Sequence, residues 1–182
     1  MKGDKEEQDD AGYPLDRVEP VTRVRVREVV GARLHGDHEA VNGVVNERNE
    51  DTADFDEDPD LDEAIKLDAK HGDFYLLRGI VYRDKGDLDR ALAEFDEKVK
   101  LDPAQASGFS KRGDLHRVRK EYDLSVADYD QVVKIEPEGP KGYIDRGWVF
   151  VLKNDLAKAG ADFDKALELH QNDPSALVGR GV

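Results

Sequence analysis

The sequence predicts an all-α fold, an α-solenoid of antiparallel helix pairs with a poorly ordered acidic N-terminal segment. Three observations predict it. Gly79, Gly113, Gly147 and Gly181 stand at one constant interval, a period of about 34 residues, as in helix–turn–helix repeat arrays. Aromatic and small residues recur in register with them. The stretches between carry apolar residues at helical spacing with regular breaks.

Residues 1–50 stand outside the period. "VTRVRVREVV" (21–30) partly alternates as a half-buried strand does, yet no partner strand is in view, so disorder is expected. Residues 51–71 read as a degenerate half repeat or cap helix, in which Leu61, Ala64, Ile65 and Leu67 share one face. Three full units follow, 72–105, 106–139 and 140–173, and 174–182 opens a fourth. Each unit begins with an amphipathic segment such as "FYLLRGIVYRDKG". It then breaks at "KGD", "RKEYD" or "KNDL" and resumes as a second helix such as "DRALAEFDEKVKL". At the breaks, Gly86 and Asn154 suit a left-handed backbone, and Lys120 suits it less well. Gln171 takes the place of Pro103 and Pro137, so a different exit turn is expected for the third unit.

The columns explain the glycines. Tyr75, Phe109, Tyr143 and Leu177 lie four residues before them, and Tyr82, His116 and Phe150 three after. Twelve after come Ala91, Ser125 and Ala159; sixteen after come Phe95, Tyr129 and Phe163. A glycine inside a helix costs about 1 kcal/mol against alanine. Close approach of the second helix offsets that cost, because overpacking at such a contact costs about 1–3 kcal/mol. Gly79, Gly113 and Gly147 are therefore assigned to packing, together with the small and aromatic columns they face. Arg78, Arg112, Arg146 and Arg180 recur one residue before the glycines and are read as structural.

With these residues in place, 72–173 resembles the tetratricopeptide repeat (TPR) family. The resemblance implies a right-handed superhelix whose first helices line a concave peptide-binding groove. It points to Leu76, Ile80 and Arg83 in the first unit, to Ser110, Asp114 and Arg117 in the second, and to Ile144, Trp148 and Val151 in the third. Several are apolar and sit beside the buried stripe of their helix, and Trp148 is the only tryptophan. The family's clamp for chaperone C-terminal tails uses asparagines and lysines at such positions. This chain has Leu76, Ile80, Ser110, Asp114, Ile144 and Trp148 there, so the clamp is not expected.

Composition narrows the function classes. The chain has 182 residues, 38% hydrophobic and 38% charged, and no cysteine, which excludes disulfides and cysteine zinc sites. Residues 1–71 carry a net charge of −11 and residues 72–182 one of −3, which disfavours nucleic acid and anionic membranes as partners. The apolar runs are far shorter than the roughly 20 residues of a membrane span, and the N-terminus lacks the apolar core of a secretory signal. A cytoplasmic protein is expected.

No Walker-type phosphate loop, dinucleotide fingerprint, zincin motif or nucleophile elbow occurs. Asp54, Asp56, Asp58, Asp60 and Asp62 alternate as calcium ligands do, but Pro59 replaces the required glycine and Ile65 the bidentate glutamate. His35 and His38 lack a third ligand. No metal, cofactor or catalytic residue is expected. The reading is a non-enzymatic adaptor for a protein or peptide partner, whose groove combines an apolar wall with Arg83 and Arg117. Two alternatives stand beside it: the repeat segment of a larger enzyme or regulator, and nucleic-acid binding through a basic helix over 111–122. The uncapped C-terminal end also admits self-association by stacking on a second copy.

Overall fold

Each break in the apolar pattern falls where the backbone turns back on itself. The computed structural model describes residues 59–181, and the expectations for residues 1–50 and for the acidic run before Pro59 lie outside them. Among the described residues there are eight helices and no strand. They are α1 (Pro59–Leu67), α2 (Gly72–Asp84), α3 (Leu88–Leu101), α4 (Ala106–Val118), α5 (Tyr122–Ile135), α6 (Pro140–Leu152), α7 (Leu156–Leu169) and α8 (Pro174–Arg180).

The turns inside the helix pairs repeat one geometry. The turn residues Gly86, Lys120 and Asn154 have φ of 81°, 61° and 59°. The next residues, Asp87, Glu121 and Asp155, each donate a backbone hydrogen bond five residues back, to Tyr82, His116 and Phe150. Gly86, Lys120 and Asn154 donate to Arg83, Arg117 and Val151. That is the Schellman closure, which satisfies two carbonyls at the helix end. Lys120 therefore adopts the left-handed conformation that its side chain disfavours. Asp87 and Asp155 then cap α3 and α7, accepting from the backbone N–H of Arg90 and Lys158 at 3.0 and 3.3 Å. Glu121, in the same position, caps nothing with its side chain.

The exits between pairs also match. Residues 102–105, 136–139 and 170–173 are each four long, and Pro140 and Pro174 begin their helices at the position where a missing N–H costs nothing. The different exit expected from Gln171 is not found. Asp173 caps α8 through the N–H of Ala176, so the turn holds without the proline.

The described residues form two bodies, 59–102 and 103–181. In the first, α2 and α3 run antiparallel: Asp73 meets Lys98 and Gly79 meets Phe95. Phe74, Tyr82, Ala91 and Phe95 fill the space between them, and α1 adds Leu61 and Ala64. Ile65 is half-buried, but Leu67 is exposed, so the apolar face expected for α1 stops short of its last residue. Lys98 is buried where the later units have Val132 and Ala166. Its ammonium lies 2.7 Å from both Asp73 and Asp102, the pairing that a buried cation needs.

In the second body α4 pairs with α5, α6 with α7, and α8 lies against α7. The core holds Ile144, Trp148, Phe150, Ala159, Phe163, Ala166 and Ala176. A Cβ on Gly147 would stand 2.8 Å from the Phe163 ring, and one on Gly79 would stand 2.6 Å from Phe95. At Gly113 the nearest atoms, in Asp128 and Tyr129, are 3.3 Å away, and Ser125 Oγ donates to the Gly113 carbonyl at 2.8 Å. The aromatic ring of each second helix thus rests on bare backbone of the first.

Candidate functional site

The arginine column is built into the same contact. Arg78 bonds Asp62 of α1 at 2.6 Å and Glu94 of α3 at 2.9 Å. Arg146 bonds Asp130 of α5 at 2.7 Å and Asp162 of α7 at 2.6 Å. Arg112 holds Asp128 through two nitrogens. In each case the acids lie sixteen residues before or after the arginine. Tyr75, Phe109 and Tyr143 lie beneath the guanidinium groups, each 5.7 Å from carbon to ring centroid. Hydrogen bonds from Asp162 hold the Arg146 pKa above its ordinary value, although burial opposes this. Burial pushes the Glu94 carboxyl up, and Arg78 only partly reverses that. The signal for this ladder is in the sequence, since the acids recur with the same period as the arginines. Only the arginine half of it is obvious without knowing which helices touch.

The candidate groove residues do not share one environment. In the first body Leu76, Ile80 and Arg83 are all partly exposed, and Arg83 pairs with its neighbour Asp84 at 2.8 Å. In the second body Ser110, Asp114 and Arg117 are partly exposed along α4. Asp114 accepts from the Tyr129 hydroxyl at 2.7 Å and lies 3.7 Å from the Lys111 ammonium. Burial, with Asp114 alongside, pushes the Tyr129 phenol well above its usual range, so it stays a neutral donor to Asp114.

The third set lies deeper. Ile144 and Trp148 are buried, Trp148 with 1% of its surface exposed, and its indole meets Phe163 edge-on at 5.4 Å between centroids. Val151 is half-buried against the same core. Trp148 therefore serves packing in this structure and presents no wall to a ligand. Sequence spacing placed it beside the buried stripe correctly, but could not reveal that the helices packed on α6 widen that stripe.

His116 is buried, as a packed residue in an aromatic column would be. Its Nδ1 is 2.6 Å from Glu121 and its Nε2 3.9 Å from Asp128, so two carboxylates face it. That contact occupies the Glu121 side chain, which would otherwise stand at the cap of α5. The basic helix expected over 111–122 is not one helix. α4 ends at Val118, residues 119–121 form the turn, and α5 starts at Tyr122. Of its cations, Arg112 and Lys111 already face acids, because the ladder and the α4 surface need them there. Among the described residues, no cluster of His, Asp or Glu could hold a metal ion, and no helix is long and apolar enough to cross a membrane.

Helix pairs repeating at one constant period, locked by glycine–aromatic contacts and arginine–acid pairs, define a helical-repeat protein. The chain belongs to the tetratricopeptide repeat family, whose model matches residues 59–106 and 110–176. No curated protein matches it. Among solved structures, it is similar to the first TPR of Spaghetti (RPAP3) bound to the HSP90 peptide SRMEEVD, at 21% identity and a TM-score of 0.59 over 63% of this chain and 90% of that one. It is similar to MamA at 16% identity and a TM-score of 0.63, over 83% and 79% of the two chains. It is also similar to YrrB, described as a TPR protein with an unusual peptide-binding site. There the identity is 22% and the TM-score 0.60, over 66% of this chain and 62% of that one.

Proposed function

We propose that this protein is a non-enzymatic interaction module that binds a peptide segment of a partner on the exposed faces of its first helices. One observation carries the reading. The side chains that recur with the repeat are consumed in packing and ion pairs, whereas Leu76, Ile80 and Arg83 and their counterparts Ser110, Asp114 and Arg117 differ between units and stay partly exposed. Residues that neither repeat nor fill the core are free to encode a partner. Peptide binding by Spaghetti, on the same fold, supports the class of ligand. The chemistry of these positions favours a peptide with apolar side chains for Leu76 and Ile80 and a carboxylate for Arg117.

Selection of peptides from a displayed library against the full chain tests this. Ile80→Glu and Arg117→Glu should each weaken the selected peptide about tenfold or more, a loss of about 1.4 kcal/mol, while the circular-dichroism melt is unchanged. Peptides indifferent to both substitutions would refute the assignment.

A further inference from the structure

One helix face in the second body carries the packing code of the repeat without its counterpart. On α8, Arg180 and Gly181 stand where Arg146 and Gly147 stand on α6. Arg146 is held by two acids and its side chain is 18% exposed; Arg78, also held by two, is 19% exposed. Arg180 bonds Asp164 at 2.5 Å and remains 54% exposed. Asp164 occupies the seat that Asp130 fills for Arg146. Among the described residues, nothing occupies the seat that Asp162 fills. Gly181 repeats the pattern. A Cβ there would meet only carbonyl oxygens of its own turn, whereas Gly79, Gly113 and Gly147 each lie under an aromatic ring. Leu177 and Val178 are 52% and 59% exposed, although Ile144, the counterpart of Val178, is buried.

What fills these seats elsewhere in the chain is one motif. Ala91-Leu92-Ala93-Glu94-Phe95, Ser125-Val126-Ala127-Asp128-Tyr129 and Ala159-Gly160-Ala161-Asp162-Phe163 share the order small, any, alanine, acid, aromatic. The acid takes the arginine and the ring takes the glycine. We propose that the open face of α8 docks an amphipathic helix of a partner protein bearing this five-residue motif. Its acid completes the Arg180 pair, its aromatic ring covers Gly181, and its apolar side rests on Leu177 and Val178. The site is separate from the peptide surface proposed above and does not depend on it.

The test uses a fluorescent peptide with the sequence of residues 156–169, held helical by a lactam between Glu168 and a lysine introduced as Asp164→Lys. Titrated with the full chain, it should bind saturably. Asp162→Asn or Phe163→Ala in the peptide should weaken binding about tenfold. Arg180→Gln in the protein should weaken the parent peptide similarly, yet scarcely change binding of the Asp162→Asn peptide, because both substitutions remove the same pair. Gly181→Leu should block binding without lowering the melt, since no side chain lies above that glycine. Absence of saturable binding, or binding indifferent to Arg180→Gln and Gly181→Leu, overturns the proposal. So does a dimer in sedimentation that Gly181→Leu abolishes and the peptide fails to displace, for the occupant is then a second copy.

Discussion

A single missing methyl group decides how closely each helix pair packs, and the glycines of the column are not equivalent in this respect. Alanine gains about 1 kcal/mol of helix propensity at any of them. Against that gain, Gly79→Ala and Gly147→Ala thrust a methyl to within 2.6 and 2.8 Å of a ring clamped by the core, where overpacking costs about 1–3 kcal/mol. Both should lower stability by about 1 kcal/mol in urea unfolding. Gly113→Ala, with 3.3 Å available, should lie near zero, and the larger Gly147→Leu should lower both melting temperature and helix content. An equal loss at all three alanine variants would remove ring contact as the cause. The glycine and aromatic columns were legible in the sequence because spacing alone sets them side by side. The burial of Trp148 was not, since it depends on atoms of α7 and α8 that no period on α6 encodes.

Helix ends follow a rule that the sequence states only in part. Gly86 and Asn154 announce their left-handed turns, whereas Lys120 is carried into the same conformation by the closure around it, a case of tertiary geometry overriding local preference. The caps give the element scale its pH dependence. The backbone N–H of Arg90 and then its guanidinium hold the Asp87 carboxyl below its ordinary value, and Lys158, by side chain and then backbone, does the same for Asp155. A carboxyl depressed by folding contributes stability above its unfolded value, about 3.9, and that contribution is lost as the pH falls through the folded value. Melting temperature should therefore drop on acidification below about pH 4. Asp87→Asn with Asp155→Asn, which keep the cap but cannot titrate, should flatten the acid limb of the curve. An unaltered acid limb in the double variant would assign the loss to other carboxylates.

At the scale of the whole molecule, the period fixed the family, the helix count per unit and the turn positions. The functional surface was read less well. Groove columns carried over by resemblance assume that every first helix exposes the same side, and Ile144 and Trp148 are buried instead. In a repeat protein each unit leans mainly on its neighbours, so a piece containing several units can fold alone. Residues 103–182, with α4 to α8, should unfold cooperatively when expressed by themselves. Residues 59–102, with three helices, fall near the size of about 40 residues below which a core seldom suffices, and should be largely unfolded. A non-cooperative melt for 103–182 would contradict the division into two bodies.

The edge-on contact of Trp148 with Phe163 turns the lone indole into a built-in optical gauge. Sealed from water, it should emit toward the blue, and its emission should shift red only when α6 and α7 separate, whatever happens in residues 59–102. Fluorescence and circular dichroism recorded on one sample will then coincide if the protein melts as a unit. If the earlier helices let go first, the two traces will part company, and the gap between them will measure how loosely neighbouring repeats are coupled.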